Sequence, residues 1–189
     1  MLNRDFTASQ PNSRWVTDMT YVRTLEGWVY VTFIVDLYAK VIVAWNAGCR
    51  MTTQLVSDTL TWALWRRDAE GHPVGVNDHL VHHSDHGSQY TFVRYGGQLQ
   101  IVGITPSFGT VGDAHDNALA EAVNGQYKAE CVDQDSPFTN LDDIWLATAD
   151  WVDWYNNHRL HAALNYRPPT EVENEYYKTQ QAATNSGNR

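Results

Sequence analysis

Alternation dominates the first quarter of the chain. From Trp15 to Val22, the residues Val16, Asp18, Thr20 and Val22 fall on one face of a period-two segment, which predicts a strand. Trp28 to Asp36 is almost continuously apolar and aromatic, the pattern of a central strand covered on both faces. Val41 to Trp45 makes a third strand. The short connections Glu26-Gly27 and Tyr38-Ala39-Lys40 predict that the three form an antiparallel meander. The period then becomes helical. Val56, Leu60, Ala63 and Leu64 place a helix over Thr52 to about Asp68, capped by Thr52 or Thr53. Gly71, Pro73 and Gly75 break it. Leu80 to Ser84 predicts a short strand ending at Asp85, Gln89 to about Leu99 a helix, and Ile104-Thr105-Pro106 a last short strand. After a connection with Gly109 and Gly112, a helix capped by Asp113 or Asp116 runs to about Glu130, and another covers about Asn140 to Asn157. Pro168-Pro169 ends that run, and a final short helix reaches about Tyr177. The expected organisation is a polar arm over 1–13, one core over 14–178, and a tail over 179–189 without structure.

Composition narrows the setting. A chain of 189 residues suits one well-filled domain. Cys49 and Cys131 form neither a spaced metal pair nor a disulfide framework, which fits a reducing, cytoplasmic location. The start has no apolar signal region, and no apolar run approaches the roughly 20 residues of a membrane helix. The formal net charge of −9 argues against a protein that grips DNA through a broad basic surface. It leaves room for a nucleic-acid enzyme whose acids are neutralised by divalent ions.

Three acids carry the candidate chemistry. Asp18 lies in a predicted strand, Asp85 at the end of another, and Glu121 on a helix, with 35 residues between the last two. Carboxylates delivered to one point repel each other unless a cation lies between them. Oxygen donors with open positions suit magnesium and phosphodiester chemistry. Blander readings stand beside this one: a turn-capping strand acid for Asp18, a turn former before Gly87 for Asp85, a solvated helix acid for Glu121. Asn117, Glu121, Asn124 and Lys128 recur at helical spacing as one polar stripe. His82, His83, His86 and His115 lack the spacing of a zinc site. Asp36 reads as a hairpin-end residue, and the excess of Trp and Tyr as core. The element order, three antiparallel strands followed by helix, strand, helix, strand, helix, is that of an α/β, RNase H-like fold: a five-stranded mixed sheet flanked by helices.

At these residues the chain resembles the catalytic core of bacterial insertion-sequence transposases of the DDE, retroviral-integrase-like group. The matching stretches are Trp15 to Val22, Asp36-Leu37, His83 to Tyr90, Ser107 to Glu130, and Trp154-Tyr155-Asn156 with Arg159, His161 and Pro168-Pro169. The resemblance implies that Asp18, Asp85 and Glu121 are the catalytic, metal-binding triad. It implies two Mg2+ or Mn2+ ions, cleavage at transposon ends, and strand transfer into double-stranded target DNA by a homo-oligomer. It also implies an upstream helix-turn-helix region that this chain lacks, which marks the chain as a fragment or truncated reading frame. Lys128, Asn117, His86 and Arg159 are the candidate DNA contacts. Lys128 reads equally as a surface lysine, Asn117 as support for the helix start, and Asn156, Arg159 and His161 as braces for the C-terminal helix. His86 stands where arginine is usual, Ser107-Phe108-Gly109-Thr110-Val111-Gly112 departs from the usual Ser-x-Ser-x-x-Gly, and Lys40 replaces a more usual arginine. A nuclease that only hydrolyses and a catalytically silent oligomerisation module remain as alternatives.

Overall fold

The computed structural model describes residues 8–74, 79–84, 104–108, 118–135 and 137–187. Strands β1 (Arg14–Thr24), β2 (Gly27–Asp36) and β3 (Ile42–Gly48) form the predicted meander, followed by helix α1 (Thr53–Ala69) and strands β4 (Val81–Ser84) and β5 (Thr105–Phe108). Helix α2 (Ala118–Tyr127) continues through a π-helical turn at Lys128–Val132 and a last turn at Asp133–Asp135; α3 (Leu141–Asn157) and α4 (Pro169–Gly187) complete the chain. The sheet order is β3-β2-β1-β4-β5. β1, β2 and β3 pair antiparallel, whereas β1–β4 and β4–β5 are parallel. This is the five-stranded mixed sheet of the RNase H-like fold.

Local chemistry sets the helix starts. Thr52 accepts a hydrogen bond from the Leu55 amide, and Asn140 accepts from the amides of Asp142 and Asp143, so each satisfies amides that the first turn would leave unpaired. One sheet face packs Val16, Val22, Val31 and Phe33 against Val123 and Tyr127 of α2 and Ile144 and Trp151 of α3. The other packs Trp15, Ile34 and Val43 against Val56, Leu60 and Ala63 of α1. The alternation of β1 therefore divides the strand between two cores, and Asp18 shares the α2 face with Val16 and Val22.

Two expectations change. The last helix does not stop near Tyr177 but runs to Gly187, nineteen residues in all, so most of the tail expected over 179–189 is helical. Lys178, Gln180, Gln181, Ala182 and Ala183 are good helix formers with no Gly or Pro among them, so a helix already started by packing propagates. The tryptophans also differ. Trp15 and Trp151 are buried, but Trp28, Trp62, Trp65, Trp145 and Trp154 are all exposed. Trp62, Trp65 and Trp145 surround Trp45 in an apolar cleft of about 260 Å3 beside β3. The helix predicted over Gln89–Leu99 lies outside the described residues.

Helix α4 is tied to the sheet by a buried ionic hub. Arg67 of α1 donates from Nη1 and Nη2 to the two carboxylate oxygens of Glu173, at 2.9 and 2.6 Å, and Nη2 lies 3.6 Å from Asp36 Oδ2. Asp36 also accepts hydrogen bonds from the Asn12 and Tyr38 amides and from Trp15 Nε1. Asp36 is thus the hairpin-end residue that its position suggested. Burial pushes its carboxyl up to about 6, against the lowering effect of Arg67 and the amide donors.

Candidate active site

The parallel pairing of β1 with β4 stops at Thr17↔Ser84. Asp18 is therefore the first β1 residue past the β4 pairing among the described residues. Ser84, which immediately precedes Asp85, pairs with Thr17, which immediately precedes Asp18. Asp85 itself lies outside the described residues, as do His86, His115 and Asn117.

Asp18 is half-buried. Its Oδ1 accepts from the Met19 amide at 2.8 Å, and its Oδ2 accepts from Asn124 Nδ2 at 2.7 Å. Asn124 is only 8% exposed and sits on α2, whose Ala120, Val123 and Tyr127 are buried toward the sheet. That packing brings the polar stripe of α2 over β1. Glu121, exposed in the first turn of α2, is one turn before Asn124 on the same face. The structure thus brings Asp18 to the helix face that carries Glu121, with Asn124 as the direct link. The Oδ1 atom of Asn124 is buried without a hydrogen-bond partner among the described residues.

Asn124 was not singled out as a site residue from sequence, although it belongs to the polar stripe. Its signal was available: an asparagine one turn after a candidate catalytic glutamate, in a helix interior where asparagine is disfavoured. Lys128 opens the π-helical turn, and its ammonium lies 4.8 Å from the Tyr21 ring centroid. Arg159 faces elsewhere. It donates from Nε and Nη2 to Glu130 in the same π-helical turn, and Trp151 Nε1 also donates to that glutamate. The geometry thus shows Arg159 bracing the segment after α2. Asn156 donates to and accepts from the Ile42 backbone, bracing the start of β3.

The neighbouring histidines are core residues. His82 is fully buried, bonded to Thr17 Oγ1 at 3.0 Å and set edge-on to Trp15. Burial pushes its imidazole down to about 3, so it is neutral at physiological pH. Among the described residues, no three of His, Cys, Asp and Glu come together in a metal-holding group; Asp85 is not among those residues.

Two family models meet on this chain, both described as "Integrase core domain", one over residues 8–114 and the other over 102–169. The chain belongs to the integrase core domain family. It is 43% identical over 181 residues to the IS986/IS6110 insertion-sequence protein of Mycobacterium tuberculosis (strain ATCC 25177 / H37Ra), covering 96% of this chain and 64% of that one. It is 46% identical over 176 residues to the transposase for insertion sequence element IS629 of Shigella sonnei, covering 93% of this chain and 56% of that one. The chain therefore spans only 56% to 64% of the length of these two relatives. Both relatives are insertion-sequence proteins, the kind of protein that the motif resemblance pointed to. The HTLV-2 integrase catalytic core domain, solved in complex with magnesium in a dimeric form, has the same fold, with a TM-score of 0.57, 15% identity, and coverage of 88% of this chain and 99% of that one.

Proposed function

We propose that this integrase core is the catalytic domain of a DNA transposase, with Asp18, Asp85 and Glu121 as its metal-binding acids. The observation that supports this most strongly is the 2.7 Å hydrogen bond from Asn124 to Asp18, which holds the face carrying Glu121 against β1 just past its pairing with β4. The donor set fits a hard divalent cation: Asp18 offers the oxygens of a half-buried carboxylate, and Glu121 is exposed one turn from the residue that touches Asp18. When bound, Mg2+ or Mn2+ would supply a Lewis acid and an activated water or 3′-hydroxyl for phosphodiester chemistry, in a pair of ions as two-metal sites use.

The chain's own residues contribute position and charge. Asn124 and the Met19 amide fix both oxygens of Asp18, so the carboxylate does not rotate as substrate charge develops. Lys128 presents an ammonium two turns beyond Glu121 for a DNA phosphate, and His86 and Asn117 are proposed as further contacts. Arg159, held by Glu130, supports the segment that carries Lys128. No serine or tyrosine nucleophile is required, because a phosphodiester can be attacked directly by water or a 3′-hydroxyl. The working species is proposed to be a homo-oligomer on double-stranded DNA, with an upstream helix-turn-helix region supplying affinity.

The test is Mn2+-dependent nicking of duplex DNA bearing the element's ends, followed by joining of a pre-cut end to target DNA. Both activities are expected in the wild type and lost in Asp18→Asn. Nicking without joining would replace the transposase by a hydrolytic nuclease. Nicking that survives Asp18→Asn would remove this site from the chemistry.

A further inference from the structure

Beyond Thr17, β1 has no strand partner on its β4 side among the described residues. The outer surface of the β1–β2 hairpin there carries two large exposed rings, Tyr21 at 56% and Trp28 at 47%. Tyr21 pairs with Tyr30 and Arg23 with Trp28, so Tyr21 and Trp28 are diagonal neighbours. Their rings meet edge to face, 5.3 Å between centroids. Each ring also carries a cation. Lys128 Nζ lies 4.8 Å from the Tyr21 centroid, and the Arg23 guanidinium lies 5.2 Å from that of Trp28. The order along the surface is Lys128, Tyr21, Trp28, Arg23.

A diagonal aromatic pair with two cation–π contacts stabilises a hairpin, and that alone would explain the rings. It does not explain the charges. In a chain of net charge −9, Arg66, Arg67, Arg159 and Arg167 are each paired with a glutamate. Among the described residues, Lys128 and Arg23 make no ion pair and lie on rings instead. A ring orients a cation without neutralising it, so both charges remain available to an anion. The ladder also begins beside the candidate active site, because Lys128 continues the helix face of Glu121 and Asn124. Asp18 lies on the α2 face of β1 whereas Tyr21 and Arg23 point to the opposite face, so the path crosses the side of β1 where Lys128 meets Tyr21. Along the strand, Asp18 to Arg23 is five residues, a reach of about 17 Å, or at most about five nucleotides at duplex spacing. It ends at Arg23, since the cleft at the hairpin tip, about 330 Å3, is lined by Trp28 together with Glu26 and Asp142, which repel phosphate.

We propose that Lys128, Tyr21, Trp28 and Arg23 form a track for a short unpaired DNA strand leaving Asp18, with the cations on phosphates and the rings against bases. The inference rests on the reading of this chain as a DNA-cutting core. An unpaired strand fits better than a duplex, because exposed ring faces need free base faces, which a duplex keeps stacked inside.

The test uses the 189-residue chain and labelled DNA duplexes with and without a four-nucleotide single-stranded flank. Binding is followed by fluorescence anisotropy. The wild type is expected to prefer the flanked duplex by about tenfold or more, the scale of one or two stacked bases. Tyr21→Ala combined with Trp28→Ala is expected to abolish that preference while leaving blunt-duplex affinity unchanged. Arg23→Gln is expected to reduce the salt dependence of flanked binding by about one ion. A 5-iododeoxyuridine placed in the flank of the wild-type complex is expected to crosslink to Tyr21 or Trp28, a readout that needs no variant to fold. No preference in the wild type, a preference retained in the double variant, or crosslinks confined to other peptides would each overturn the track. Asp18-dependent nicking, read separately on gels, tells that failure apart from a failure of the DNA-cutting reading.

Discussion

Asn124→Ala isolates the contribution of one hydrogen bond to the proposed chemistry. The bond is short, 2.7 Å, buried at the asparagine end, and accepted by a carboxylate. Hydrogen bonds to ionised groups are worth about 1.5–3 kcal/mol. If Asp18 must hold its orientation as charge develops on phosphate, that loss appears in the transition state. At about 1.36 kcal/mol per factor of ten, nicking should fall by about tenfold to 150-fold. Stability should fall by about 1–2.5 kcal/mol, because alanine's better helix propensity, about 0.5 kcal/mol, offsets only part of the lost contact, so nicking is compared at a temperature where both proteins are folded. The complementary change, Asn124→Asp, sets a second carboxylate against Asp18. Two like charges about 4 Å apart cost about 4 kcal/mol at the effective dielectric of a protein surface. This variant should melt earlier than wild type at pH 7 and recover when Mn2+ is added. The assays are single-turnover nicking on pre-bound DNA and thermal melting with and without Mn2+. Nicking by Asn124→Ala within twofold of wild type, or an Asn124→Asp variant whose melting ignores Mn2+, would refute the argument that Asn124 positions Asp18.

Three further outcomes are expected. His82, pushed down to about 3 by burial, stays neutral in the fold while the unfolded chain protonates it near 6.5, so acidification from pH 6.5 to 5 costs about 2 kcal/mol. Asp36, raised to about 6 by burial, acts oppositely: the fold binds its proton first and gains about 1 kcal/mol between pH 7 and 5. Urea melts should therefore show a net loss of about 1 kcal/mol from pH 7 to 5 in the wild type and a gain in His82→Asn; an unchanged slope in that variant would contradict the assignment. Arg67→Met leaves Asp36 and Glu173 buried without their shared cation and should cost about 3–5 kcal/mol in urea unfolding, whereas a loss below about 1 kcal/mol would mean the hub does not hold α4. Truncation after Tyr177 removes a helical segment whose residues 178–185 are all exposed, and should change the urea midpoint by no more than about 0.5 kcal/mol of stability.

Periodicity was enough to find the meander, α1, α3 and the two short parallel strands. Strand alternation and helix caps are written in consecutive residues, and in β1–β3 the hydrophobic pattern has only one register that buries it. Asp18, Asp85 and Glu121 are nominated by their motif contexts, by the 35-residue spacing of the last two and by what the resemblance implies, not by periodicity. Local pattern could not say that the partner of Asp18 is Asn124. The two are 106 residues apart, and only the packing of Val123 and Tyr127 on the sheet rotates α2 so that they meet. Nor could it tell buried tryptophans from exposed ones. Trp15 and Trp28 look alike in sequence, but the first falls under α1 and the second at an uncovered hairpin, and burial belongs to the neighbouring elements rather than to the residue. The hub of Asp36, Arg67 and Glu173 makes the same point with charge. Asp36 reads from sequence only as a hairpin end, and only the docking of α4 that sets Glu173 against Arg67 turns the three into one buried interaction. Sequence determined which segments are strands and helices and which acids are candidates; tertiary structure decided which side chains face one another, because distance in space follows from packing between segments far apart along the chain.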